Sequence, residues 1–270
     1  MRVVALLAAY NEERFIGACL EHLAQQGVEA YLIDNDSTDR TVEIARRWLG
    51  STLLGLERFR RERVFRWRKI LKRKEQLARK LDADWFMHMD PDEIRLSPDP
   101  KLTLAEAFRK VEDEGYNAVN FQEFTFVPTR ESPDHDHPDF KETMRWYYPF
   151  LPFSPHQLKA WKRQSVKVEL VRSAGHGVMF PGLRIYPAPF PMRHYLFLSE
   201  AHALRKYGAR KYDPVAVRSG WHGWRATVGQ RTIRLPSQDQ LRYYTSDAGL
   251  DARNPCKRHC LDEGWEGVPV

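Results

Sequence analysis

Three apolar runs that each break off into acidic residues restrict this chain to a narrow set of folds. Val3–Ala9 (VVALLAA) runs into Tyr10-Asn11-Glu12-Glu13. Residues 30–33 (AYLI) run into Asp34-Asn35-Asp36-Ser37-Thr38-Asp39, and Trp85–Met89 (WFMHM) into Asp90-Pro91-Asp92-Glu93. A short run with no polar alternation suits a strand buried on both faces. Between the runs the spacing turns helical. Phe15, Ile16, Cys19, Leu20 and Leu23 make one stripe, and a helix over 38–49 presents Val42, Ala45 and Leu49 inward. Asn11 is placed to cap the first helix, with Glu12 and Glu13 in its first turn. A strand over 51–56 and a long basic helix over 64–81 complete the alternation. Strands alternating with helices predict an α/β fold with a mostly parallel sheet. Ligands of such sheets gather at the carboxyl ends of the strands. Three ends that carry carboxylates therefore predict one site for a metal ion and a phosphate-bearing ligand.

The pattern changes after residue 98. A strand is expected over 117–127. Residues 128–191 are rich in proline, aromatics and histidine, which predicts loops, hairpins and a strand over 166–172. A helix is expected over 200–211, and the tail after 236 is polar. The reading is thus a first half over 1–98 and a loop-rich second half over 99–270, without a true linker.

The net charge is +7 with an isoelectric point near 9.3, and much of it sits in residues 58–80. Such an excess fits a solvated helix face, a nucleotide diphosphate or an anionic membrane surface. Nucleic acid is not expected, because zinc-finger, ribonucleoprotein and helix-turn-helix signatures are missing. No run of eighteen apolar residues occurs, so no spanning helix is expected. The first residues lead straight into Asn11-Glu12-Glu13 without a cleavage site. Three cysteines, Cys19, Cys256 and Cys260, make no paired framework. Together these features predict a cytoplasmic protein and allow a peripheral contact with the inner face of the membrane.

Asp90-x-Asp92 is the strongest chemical signal. Magnesium and manganese prefer oxygen and are often held by one or two carboxylates, with substrate phosphates and water completing the shell. An isolated Asp-x-Asp is usually a capped turn. Here it ends an apolar strand and joins two other acidic strand ends. Asp34 could likewise accept hydrogen bonds from a ribose or a base edge. No Gly-x-Gly-x-x-Gly and no Walker A sequence occurs, which argues against a dinucleotide-binding domain and P-loop chemistry.

At these residues the chain resembles family 2 glycosyltransferases, an inverting group with the GT-A fold. LLAAYNEE, IDNDSTD and FMHMDPDE occur in the family's order, within the first 95 residues or so. Asn35-Asp36 departs from the family's usual Asp-Gly, while Asp34 matches the first acidic position. The resemblance implies transfer of a sugar from a nucleotide-diphosphate donor to a hydroxyl on a glycan, a lipid-linked sugar or a small molecule. It places Ala9, Tyr10, Glu12, Asp34, Asp36 and Lys74 at the nucleotide, with Lys74 standing at the family's basic position before the Asp-x-Asp. It assigns Asp90 and Asp92 to Mn2+ or Mg2+. A weaker likeness at Met192-Arg193-His194-Tyr195 adds His194 as a late metal ligand. His176 is a second histidine for the acceptor side. For the general base Glu123 is preferred over Asp136 and Glu200, although the family's acidic pair has no clean counterpart here. The competing readings are a sugar-phosphate nucleotidyltransferase, which expects a glycine-rich loop after the first strand, and a non-catalytic nucleotide-sugar-binding protein, which expects a broken metal motif.

Overall fold

The computed structural model describes residues 1–230 and 233–269. In chain order its elements are β1 (Val3–Ala9), α1 (Ile16–Gln25), β2 (Val28–Asp34), α2 (Thr41–Arg46), β3 (Leu53–Arg58), α3 (Trp67–Lys80), β4 (Trp85–Met89), β5 (Glu93–Arg95), α4 (Leu104–Asp113), β6 (Ala118–Phe126), α5 (Phe140–Thr143), β7 (Trp146–Phe150), β8 (Leu158–Lys162), β9 (Phe190–Tyr195), α6 (Glu200–Ala203), α7 (Pro214–Arg218) and β10 (Arg242–Tyr243). They form two compact units that are interleaved along the chain. The first comprises Met1–Arg61, Trp67–Phe121 and Pro155–Met192. The second comprises Glu62–Arg66, Gln122–Ser154 and the described residues from Arg193 onward.

The first unit is built on a sheet in which β1 pairs with β2 and β4, and β2 with β3, all parallel. On the far side of β4, β8 runs antiparallel. Alternate residues of β1 explain its unbroken apolar run. Val3, Ala5, Leu7 and Ala9 join one core with Ile16, Cys19, Leu20 and Leu23 of α1 and Phe108 of α4. Val4 and Leu6 join another with Leu71 and Leu77 of α3, Phe86 and Trp161. Helix α4, which the sequence reading passed over, carries a complete capping box between Thr103 and Glu106.

The second unit pairs the last residues of β6 with β7, and β7 with β10, all antiparallel. Its core gathers Val127, Tyr148, Phe150, Leu196, Phe197, Tyr207, Cys256 and Cys260.

Several elements differ from expectation for local reasons. Asn11 does not cap α1. It adopts φ 55° and its Oδ1 accepts the Thr38 N–H at 2.8 Å, while α1 starts over the Glu12 carbonyl, which accepts the Ile16 N–H at 2.9 Å. Helix α2 begins three residues later than expected, because Ser37 and Thr38 bond to Asn11 and the Asp39 side chain receives the Thr41 N–H at 2.9 Å. No strand forms over 166–172. The N–H groups of Leu170 and Val171 go to the Glu75 carboxylate at 2.6 and 3.1 Å, so a side chain takes the donors that a ladder would use. The helix expected over 200–211 is α6 followed by one wide turn, Leu204–Gly208.

Candidate active site

The sheet register brings the three acidic strand ends side by side. Strand β1 lies between β4 and β2, with Ala9 opposite Asp34 and Leu7 opposite Met89. The loops after β1 and β2 are joined to each other. The Asn11 N–H donates to Ser37 Oγ at 3.0 Å, the Glu12 N–H to Thr41 Oγ1 at 2.8 Å, and the Asn35 N–H to the Ala9 carbonyl at 2.8 Å.

Asp34 and Asp36 differ in what they do. Asp34 is buried, and its carboxylate faces Ser37, whose N–H lies 3.2 Å from the nearer oxygen and whose hydroxyl is also turned to it. Burial pushes its pKa up, against the pull of Ser37. Asp36 sits at φ 61° and is already engaged. It pairs with Arg58 and accepts the Arg61 N–H at 2.7 Å, and the Arg58 hydrogen bond first, then the Arg61 one, hold it below its ordinary pKa. Arg61 in turn lies over the Tyr10 ring, 3.5 Å from its centroid. Asp36 thus fastens the 58–61 loop against Tyr10.

At the end of β4, Asp90 and Glu93 close a turn. The Glu93 N–H donates to the Asp90 carbonyl at 3.2 Å, and the Glu93 carboxylate accepts the Asp90 N–H at 3.2 Å. The Asp90 carboxylate itself is half-buried and has no hydrogen bond or ion pair among the described residues. Asp92 is buried. Glu93 also receives Arg95 at 2.5 Å and Lys159 at 3.1 Å. Arg95, fully buried, lies over Phe121 at 4.3 Å. This charged scaffold behind the turn was missed in the sequence, because Lys159 stands 66 residues from Glu93. Only Glu93, the third acid of Asp90-Pro91-Asp92-Glu93, left a local trace.

Lys74 is fully buried. It shares the inward stripe of α3 with Ile70, Leu71, Leu77 and Ala78. Its Nζ lies 2.8 Å from His88 Nδ1 and 3.1 Å from the Met89 carbonyl, one residue before Asp90. Burial lowers its pKa to about 7, against the opposing pull of Asp90. His88 is pushed down as well, first by burial and then by Lys74. Gly175 covers this pair. Its φ of +89° and a Cβ position only 3.1 Å from His88 Nε2 leave no room for a side chain. The neighbouring Arg73 forms a two-pronged pair with Glu57 at 2.6 Å on each arm. His176 is exposed and stacks on buried His156 at 4.7 Å.

In the second unit, Glu123 and His194 meet. His194 Nδ1 lies 2.6 Å from Glu123 Oε1, which also accepts the Thr125 hydroxyl at 3.0 Å. Of the rival bases, Asp136 is paired with Arg205 and Glu200 is exposed in the first turn of α6. The Cys256 and Cys260 side chains are packed in the core, and His259 stacks on Phe150 at 3.8 Å. No group of three or more His, Cys, Asp or Glu side chains among the described residues is arranged to hold a metal ion.

The family model for glycosyl transferase family 2 matches residues 5–168. No curated protein matches. Among solved structures, S. aureus TarS 1-349 in complex with UDP is similar at 12% identity and a TM-score of 0.44, over 76% of this chain and 66% of that one. A TarS crystal structure aligns over 73% of this chain and 37% of its own length, at 12% identity and a TM-score of 0.44. Glucosyl-3-phosphoglycerate synthase from Mycobacterium tuberculosis, in complex with Mn2+, UDP and phosphoglyceric acid, is similar at 19% identity and a TM-score of 0.28, over 46% of this chain and 43% of that one. The chain thus spans between 37% and 66% of the TarS structures that it matches.

Proposed function

The chain belongs to glycosyl transferase family 2, and on that premise we propose that it moves a sugar from a nucleotide-diphosphate donor to a hydroxyl acceptor with inversion. The observation that carries the proposal is the register of β4, β1 and β2, which gathers Asp90 and Asp92, the Tyr10 loop and Asp34 at one sheet edge.

In this reading Asp34 accepts a hydrogen bond from the base or ribose, since a buried carboxylate with one backbone donor has capacity left. Ala9, Tyr10 and Glu12 line the nucleotide, and Asp36 shapes the same wall through Arg58 and Arg61. Lys74 acts from beneath, by holding the Met89 carbonyl and the His88 ring at the end of β4. Asp90 and Asp92 suit Mn2+ or Mg2+, because two carboxylates, one without a protein partner among the described residues, match the donor set of a cation shared with phosphates. A cation bound there supplies charge neutralisation for the departing diphosphate, worth several kcal/mol in general.

For the acceptor hydroxyl, we assign proton uptake to the Glu123–His194 pair. Glu123 is the more deeply buried partner and is itself held by the Thr125 hydroxyl, so it steadies the imidazole. His194 takes the proton, and the carboxylate stabilises the imidazolium that results. This assignment moves His194 away from the metal, and the acceptor attacks the anomeric carbon in a single displacement.

A thermal-shift screen of UDP, GDP, ADP, CDP and dTDP, each with and without Mn2+, tests the donor side. One of them should raise the melting temperature more with the cation than without it, because a ligand of the native state stabilises by mass action. If none does under either condition, the proposal fails.

A further inference from the structure

The second unit carries a stretch of basic and exposed aliphatic residues to which none of the residues assigned above belongs. Residues 204–225 contain six basic side chains and one acid, Asp213. Residues 62–66 add Arg63 and Arg66 against Glu62. The two stretches thus hold a balance of +6 in a chain whose total is +7. They are also packed together. The Phe65 N–H donates to the Lys211 carbonyl at 2.7 Å, Phe65 meets the Tyr212 ring edge-on, and Arg66 pairs with Asp213 at 2.5 Å.

This frame holds α7 outward. Asp213 caps it by accepting the Val215 N–H at 3.0 Å, and Pro214 starts it. Val215 is 59% exposed and Val217 39%, with Leu204 also 39% exposed on the preceding turn. On α7 and the two segments packed together beside it, Arg218, Lys211 and Arg63 are exposed, and none of them forms an ion pair among the described residues.

We propose that this surface docks the protein on an anionic lipid bilayer, with Lys211, Arg218 and Arg63 at the headgroups and Val215 and Val217 in the interfacial layer. Unpaired basic side chains gain from a negative leaflet, and exposed aliphatic side chains gain from leaving water. Nucleic acid would satisfy the charges but offers nothing to the valines, and the segment's Tyr207 is buried while Tyr212 and Trp221 are half-buried rather than presented for base stacking. No helix among the described residues is long and apolar enough to cross a membrane. The docking does not depend on the reaction proposed above.

Flotation of the full chain with vesicles tests it. Vesicles of phosphatidylcholine with about one-third phosphatidylglycerol should carry the protein up at low salt, and pure phosphatidylcholine should not. Each of Lys211→Glu and Arg218→Glu should weaken binding by about fivefold or more. V215S/V217S should weaken it severalfold while leaving the melting temperature unchanged, since both side chains are exposed. An absence of flotation with anionic vesicles overturns the proposal. So does a preference for a single-stranded oligonucleotide over those vesicles, or flotation unaffected by all four substitutions.

Discussion

His194 Nδ1 and Glu123 Oε1 lie 2.6 Å apart although 71 residues separate them in the chain. Both side chains are nearly buried, so the contact fixes the orientation of the imidazole. The two residues were expected to serve different purposes, His194 the metal and Glu123 the acceptor. Their pairing favours one shared purpose.

His194→Ala should therefore reduce sugar transfer by about a hundredfold or more, in line with loss of a general base. Binding of a nucleotide diphosphate with Mn2+ should stay within about twofold of the parent. Titration calorimetry on the variant measures this. A loss of the Mn2+-dependent part of binding would return His194 to the metal site.

Asp90→Asn should remove that Mn2+-dependent part while leaving the melting temperature within about 2 °C, because the Asp90 carboxylate is half-buried and forms no hydrogen bond or ion pair among the described residues. Asp92→Ala should remove it as well. Unchanged metal-dependent binding in folded Asp90→Asn protein would detach this turn from the metal.

Asp34→Asn should weaken nucleotide binding by on the order of 1.5–3 kcal/mol, the range for a hydrogen bond to a charged group. The same substitution should stabilise the ligand-free protein at neutral pH. Burial raises the Asp34 pKa above its ordinary 3.8, so the folded state binds a proton more readily than the unfolded one. Stability then falls as pH rises from 3.8 through the raised value, and the penalty is fully present above it. The advantage of asparagine should thus vanish below about pH 3.8, where both states are protonated. Melting curves of the two proteins from pH 3 to pH 8 provide the check. An advantage that persists at the acid end would mean that Asp34 is not ionised at a cost.

Glu93→Gln leaves Arg95 and Lys159 facing a neutral amide, and breaking a buried ion pair in this way costs ~3–5 kcal/mol. Adding Lys159→Met should recover part of that loss, because one stranded charge is then gone. Denaturant unfolding of both single variants and the double variant gives the coupling. Strict additivity would show that Glu93 and Lys159 do not depend on each other.

Much of the candidate site could be read from short stretches. Strand β4 coincides with the apolar run WFMHM, and β1 bears the both-faces burial that its composition implies. Lys74 could have been read further, since a lysine in line with Ile70, Leu71, Leu77 and Ala78 belongs to the inward stripe of its helix. The strand expected over 166–172 failed for a reason outside its own residues, because the Glu75 carboxylate takes its backbone donors. Asn11 misled in a similar way. Its side chain could serve a helix start or a neighbouring loop, and the adjacent β2 loop won.

The alternation of strands and helices and the acidic ends of three strands are written in local sequence, because side-chain period and turn chemistry act over a few residues. That these ends are neighbours, that Lys159 faces Glu93 and that Glu123 meets His194 follows from the fold alone. Those partners are set by strand order and by the packing of distant segments, and a buried charge takes whatever opposite group the fold brings within hydrogen-bonding distance.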